Sequence, residues 1–231
     1  MALKDNLTAY WKLEEASGSR ADSFGANTLT DNNTVTQAVG KIGNAAQFTA
    51  ANSENLSITD NTALSTGDIS FSFATWVYLD SENADRPIVY KGGAGFSYEY
   101  ALKYQNSSDR FFLQVSDGSA NEALVTANNF GVVTTGTWYW IFCYHNATTN
   151  EVGISVNNGI ADTASYSLGL TDTAETFFLG RLGTAYMDGR IDDFAFWKRI
   201  PSASELTQIY NSGNGLAFEL WDNRALFFSQ L

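Results

Sequence analysis

The sequence predicts an all-β domain, a sandwich of two antiparallel sheets with one short helix near its C-terminal end. Three observations carry this expectation. Run after run alternates bulky apolar or aromatic residues with polar ones at a period of two, the pattern of a half-buried strand. The runs are separated by short turn-forming stretches, with 19 glycines but 2 prolines in 231 residues, and no charge block, low-complexity tract or internal repeat marks a linker. A content of 44% hydrophobic and 14% aromatic residues supplies one large core, and sandwiches of this size fold undivided.

Leu7–Leu13 reads as the first strand, followed by a polar, turn-rich segment from Glu14 to Asn33 that Gly18 and Gly25 punctuate. Ile69–Tyr78 carries bulky groups on both faces, Phe71, Phe73 and Val77 against Trp76 and Tyr78, as a central strand covered on both sides does. A charged loop at 82–86 precedes Pro87–Tyr90, and Lys91-Gly92-Gly93-Ala94-Gly95 reads as a hairpin loop, since it lacks the context of a phosphate cradle. Tyr98, Tyr100, Leu102 and Tyr104 then fall on one face of a strand, with Glu99 and Lys103 on the other. Arg110–Ser116, Glu122–Thr126, Trp138–His145 and Glu151–Val156 follow as strands, the last ending in a turn at Asn157-Asn158-Gly159. Phe177–Gly180 is another short strand, and residues 181–186 are a loop.

The run Gly189–Trp197 is the most informative, because two adjacent acids sit in an aromatic strand. Alternation places Ile191, Asp193, Ala195 and Trp197 on one face and Asp192, Phe194 and Phe196 on the other, so one acid points inward. A carboxylate there is costly unless it is hydrogen-bonded, paired or bound to a cation. Pro201 then ends the strand, Ser202 and Glu205 have capping-box spacing, and Leu206, Ile209 and Tyr210 form an apolar stripe. One short helix with Gly213 as its C-terminal cap is expected.

In this order the segments resemble the laminin-G-like, concanavalin A-like jelly-roll domains. Gly43–Phe48 is similar to the family's early strand, Ser70–Val77 to its "F-S-x-x-x-W-V" strand, and Trp138–Phe142 with Val156–Gly159 to its later strand and hairpin. Phe178-Leu179-Gly180 and the closing Gly189–Trp197 run complete the set, roughly over residues 7 to 215. The resemblance implies a jelly roll at 1–215 and an apolar C-terminal extension at 216–231, a last strand or an association segment.

Asp22-Ser23-Phe24-Gly25-Ala26-Asn27 is similar to the family's "D-x-x-G-x-N" loop. In many relatives that loop and the closing-strand Asp together hold a structural Ca²⁺, which takes six to eight oxygen ligands. The resemblance therefore implies Asp22, Asn27 and Asp192 as calcium contributors. The alternative is a turn stabilised by Asp22 and Asn27, with Asp192 bonded to backbone amides. For carbohydrate, aromatic rings that stack on sugar C–H faces point to Tyr98 and Tyr104, the latter beside the loop at 105–108, although an alternating aromatic strand is more often simply core.

The net charge of −12 and pI near 4.3 argue against nucleic acid, anionic membranes and polyanionic glycans, and make a neutral ligand the easier expectation. Cys143 is the single cysteine, so no intrachain disulfide forms. Cys143 and His145 share a strand face but lack a third group for nucleophilic catalysis. A retaining glycosidase needs two carboxyls about 5 Å apart, whereas Asp192 and Asp193 are expected on opposite faces. The chain has no basic leader followed by an apolar run and no membrane-length apolar stretch, so its localisation stays undetermined.

A non-catalytic recognition module for a carbohydrate or protein surface, stabilised by calcium, is the leading expectation. The alternatives are a structural or adhesive component of a larger assembly, such as a phage virion decoration or tail protein, and a glycoside hydrolase. Leu216–Trp221 and Ala225–Phe228 are the sequence features that suggest an oligomer or virion contact.

Overall fold

The computed structural model describes residues 2–222. Seventeen strands and one α-helix follow in the order β1 (Leu7–Trp11), β2 (Thr30–Asn32), β3 (Thr36–Val39), β4 (Asn44–Phe48), β5 (Asn55–Ile58), β6 (Phe71–Leu79), β7 (Arg86–Gly92), β8 (Tyr98–Gln105) and β9 (Arg110–Ser116). They continue with β10 (Glu122–Thr126), β11 (Trp138–Asn146), β12 (Glu151–Val156), β13 (Asp162–Ser165), β14 (Phe177–Leu179), β15 (Arg181–Leu182), β16 (Ala185–Tyr186), β17 (Gly189–Trp197) and α1 (Ala203–Tyr210).

Two large antiparallel sheets result. A back sheet runs β13-β12-β11-β6-β17-β4-β3, with β1 also on β17, and a front sheet runs β10-β9-β8-β7-β14-β5-β2. Phe71, Phe73, Val77, Leu102, Phe111, Phe177, Phe194 and Phe196 fill the space between them. Gly189 is required where β17 meets β6, since a Cβ there would lie 2.1 Å from the Tyr78 carbonyl oxygen.

A third layer covers the back sheet. Its outward residues Trp76, Trp140, Phe142, Ala195 and Trp197 pack under Leu3, Ile209, Leu216, Phe218 and Trp221. The segment after the helix is a 3₁₀ turn at Phe218–Leu220 rather than a strand, and Trp221 stacks on Trp197 at 5.7 Å. Ala225–Phe228 lies outside the described residues. Helix α1 begins with the expected capping box between Ser202 and Glu205 but stops at Asn211, in left-handed geometry, before Gly213. Its anchor is the Arg199–Glu205 pair, two parallel bonds of 2.9 Å, with Arg199 also donating to the Asp5 and Ala2 carbonyls.

Two bulges correct the expected alternation. Along β17 the register against β6 slips between Asp192 and Ala195, and Asp193 takes φ 47°. Ile191 therefore shares the inner face with Phe194 and Phe196, not with Ala195 and Trp197. Along β8 the pairing with β7 slips at Lys91/Gly92, leaving Glu99 between the paired Tyr98 and Tyr100. Tyr100, Leu102 and Tyr104 face the core, whereas Tyr98 joins Tyr90 and Ala101 on the opposite face.

Candidate functional site

The bulge in β17 gathers the acids that alternation would have separated. Asp192 is 0% exposed and accepts from the Lys41 and Ile42 amides at 2.7 and 2.9 Å through Oδ2. Asp193 accepts from the Tyr10 hydroxyl through Oδ1. The other oxygens, Asp192 Oδ1 and Asp193 Oδ2, are buried and have no partner. Burial, the charge of Asp193 and that of Glu14 raise the Asp192 carboxyl well above the usual carboxylate range. Burial likewise raises Asp193, with Glu14 adding to it, against the lowering effect of the Tyr10 hydrogen bond.

The loop that resembles the family's calcium segment is closed on itself. Asp22 Oδ1 accepts from the amides of Tyr10, Phe24 and Gly25, and Oδ2 from the amide and side chain of Asn27. Asn27 also donates to the Thr8 carbonyl. Asp22 and Asn27 thus stand together, while the hydrogen bonds of Asp192 run to the 40–42 turn. Tyr10 links the two regions, its amide to Asp22 and its hydroxyl to Asp193. Asp192 and Asp193 thus each keep one buried oxygen without a partner, and the charge of Glu14 acts on both.

Among the described residues the group of three acids whose ligand atoms lie close enough to share a cation is Asp60, Glu99 and Asp172. Lys91 already supplies the positive charge there. Its ammonium lies 2.7 Å from Asp60, 2.8 Å from Glu99, and 2.9 and 3.1 Å from the Thr173 and Glu175 carbonyls. Glu99 takes four further bonds from Thr66 and Thr173. Alternation placed Glu99 on an outer face and Lys91 in a loop. The β8 bulge and the longer β7 bury both at 0% exposure, where each needs the other.

Neither tyrosine singled out for sugar stacking shows its ring to solvent. Tyr104 is 1% exposed; its hydroxyl bonds Asp109 at 2.9 Å, and burial pushes its ionisation up to about 12. Tyr98 is 5% exposed and its hydroxyl meets Glu122. Burial alone pushes the Cys143 thiol up, which keeps it an unreactive core residue.

The front sheet's outer face carries an open trough. One hollow of roughly 470 Å³ is lined by Asn32, Asn55, Ser57, Phe178, Arg181 and Tyr186 among others. A second, of roughly 290 Å³, continues past Phe178 to Tyr90, Gly93 and Glu175. Asn32 Nδ2 donates to Ser57 Oγ at 2.9 Å and to Asn55 Oδ1 at 3.2 Å, which fixes the polar floor. The segment expected as a loop at 181–186 is a hairpin, β15–β16, turning at Gly183 with φ 58°. It holds the Arg181 guanidinium 5.0 Å from the Phe178 ring and 5.9 Å from Tyr186. The sequence signal available was the Phe178–Arg181 spacing ahead of a glycine; without the hairpin it had no visible meaning.

Two sheets packed face to face, one of them carrying such a trough and the other covered by the chain's own end, define a concanavalin A-like jelly roll. The family described as the concanavalin A-like lectin/glucanases superfamily, laminin-G type, matches residues 43–207, and the chain belongs to it. Among solved structures, the binding domain of Paraclostridial Mosquitocidal Protein 1 superposes with a TM-score of 0.72 at 16% identity, over 91% of this chain and 53% of that one. Domain 4 of AbnA, a GH43 extracellular arabinanase from Geobacillus stearothermophilus, in complex with arabinotriose, gives 0.66 at 18% identity over 88% and 97%. The binding domain of botulinum neurotoxin DC in complex with rat synaptotagmin II gives 0.68 at 12% over 91% and 52%.

The chain thus spans about half the length of the toxin binding domains. At these identities the likeness establishes the fold. No curated protein sequence matches the chain significantly. No helix among the described residues is long and apolar enough to cross a membrane.

Proposed function

We propose that the protein is a non-catalytic recognition module that binds carbohydrate across the front sheet's outer face. The observation that carries this reading is the trough itself: partly exposed aromatic rings beside fixed amide and hydroxyl groups, on the sheet face that no other part of the described chain covers. Rings supply stacking area, and Asn and Ser groups supply directional bonds to hydroxyls. Among the structural neighbours, one domain is held in complex with arabinotriose and one with rat synaptotagmin II, so a protein surface is the competing occupant. The test is a glycan array with the wild-type protein and Phe178→Ala. Glycans retained by the first and lost by the second support the reading; glycans bound equally by both place the site elsewhere.

A structural calcium ion forms the second part of the proposal, favoured by the two buried carboxylate oxygens without partners. Asp192 and Asp193 would hold it, with Glu14 contributing charge, and the Asp22–Asn27 loop would brace Tyr10 behind them. Calcium supplies the positive charge that the pair lacks. Thermal melts of metal-stripped protein check this: added millimolar calcium should raise the melting temperature, and Asp192→Ala should abolish the gain. A stripped protein indifferent to calcium would leave the pair as protonated, hydrogen-bonded carboxyls.

A further inference from the structure

We infer that the front trough selects a sugar bearing a single carboxylate, with Arg181 as the group that reads it; this rests on the carbohydrate-binding reading above and sharpens it. The first argument is one of charge. The chain carries 25 acidic residues against 13 basic ones, yet none of the residues lining the larger hollow is acidic, and one, Arg181, is a cation. A patch of opposite sign on an acidic protein is the place where an anionic group is best received.

The second argument is that Arg181 is held in position with its recognition edge free. Its Nε donates to the Gly183 carbonyl at 3.1 Å, and its plane is held near the Phe178 and Tyr186 rings. Its terminal nitrogens have no acceptor among the described residues. Among the other described arginines, Arg20, Arg86, Arg110, Arg190 and Arg199 each spend at least one terminal nitrogen on a carbonyl, hydroxyl, amide oxygen or carboxylate of the protein. Among the described residues no ion pair involves Arg181. Arg181 also borders the adjoining hollow, which Glu175 lines as well, but the two make no ion pair.

A planar fork of two nitrogens matches the two oxygens of a carboxylate, and stacking has already removed much of its rotational freedom. The Asn55, Ser57 and Asn32 groups then face the hydroxyls of the same or the next sugar ring. A polyanionic chain would meet the repulsion of the whole molecule, whereas a lone carboxylate, within one screening length of Arg181, meets mainly that cation.

Sialic acids and uronic acids share this chemistry, and the test separates them. Titration calorimetry at about 0.15 M salt would compare 3′-sialyllactose with lactose, and an aldotetraouronic acid with xylotriose, on the wild-type protein, Arg181→Gln and Phe178→Ala. The expected result is at least about tenfold tighter binding of one acidic sugar than of its neutral partner, a preference that Arg181→Gln removes without lowering the melting temperature. Which acid is preferred identifies the source. Equal binding of acidic and neutral sugars, or a preference that survives in Arg181→Gln, overturns the inference; binding that still depends on Phe178 would then leave the carbohydrate reading standing. Failure of all four sugars and of the glycan array would sink both.

Discussion

The two outer faces of this sandwich are built from similar materials and treated in opposite ways. The back face carries Trp76, Trp140 and Trp197 under a seal made by the chain's own ends, and opens past Phe142, in a hollow of roughly 440 Å³ beside α1. The front face carries Tyr90, Tyr98 and Phe178 and is bordered by amides and an arginine, with only a two-stranded hairpin beside it. Aromatic residues on an outer sheet face therefore do not by themselves mean binding. What separates a third core layer from a ligand face is whether polar groups are fixed around the rings. On the back, the ring N–H groups of Trp197 and Trp221 are spent on the Leu3 and Leu216 carbonyls; on the front, Arg181 keeps donors to spare.

The comparison breaks most severely at Trp197. It is fully buried, stacked on Trp221 and bonded to Leu3, so Trp197→Ala should cost about 3–5 kcal/mol, read by urea unfolding. A cost below about 1 kcal/mol would mean that the terminal layer adheres only loosely. Next comes the Arg199–Glu205 pair, which ties α1 to the N-terminal segment. Glu205→Gln leaves a buried guanidinium uncompensated and should cost about 3 kcal/mol. If the pair only decorates the surface, the loss should fall to that of an exposed pair, about 0–1 kcal/mol. Trp76, Trp138, Trp140, Trp197 and Trp221 all belong to the back layer, so tryptophan fluorescence should shift to the red in both variants.

How much of this could be read from the sequence follows from the range of the interactions. The strands at 71–79, 110–116, 138–146 and 189–197, the capping box and the Asn157-Asn158 turn are local patterns, and each stands where periodicity or turn chemistry put it. The bulges at Asp192–Asp193 and at Glu99 are not local. Each inserts one residue against a partner strand, and every side chain beyond it changes face. That is why Tyr98 parts from Tyr100, why Lys91 and Glu99 meet in the interior, and why the two neighbouring aspartates come to influence each other. The front trough was invisible for the same reason. Asn32, Asn55, Phe178 and Arg181 lie far apart in the chain and become neighbours only through the pairing of β2, β5 and β14.

The aspartate pair gives a smaller effect, with a sign that can be worked out. Both carboxyls have folded-state pKa values raised above the unfolded value of about 4. Their stabilising protonation is complete below that unfolded value and is lost as pH rises through the raised values, so chelator-treated protein should melt progressively higher as pH falls from about 9 to about 5. Further acidification should reverse the trend through Asp60 and Glu205, where burial is outweighed by hydrogen bonds from Lys91 and Arg199 and the pKa is lowered. Bound calcium would favour the ionised pair and flatten the rise between pH 9 and 5. A metal-free profile that already lacks it would show that the two carboxyls are solvated in solution.

The smallest stability effect is expected on the front face, where the comparison is sharpest. Phe178 lies between the two hollows with one side under Arg181 and none of its ring in the main core. Phe178→Ala should therefore cost about 1 kcal/mol or less, within the range of surface substitutions, even though an aromatic residue is removed as in Trp197→Ala. Circular dichroism melts of the two variants side by side measure the contrast directly. A loss at Phe178 approaching that at Trp197 would mean that the front aromatics are a cohesive part of the fold, and the trough would lose its standing as a ligand face; a near-neutral melt together with lost sugar binding would assign those rings to recognition.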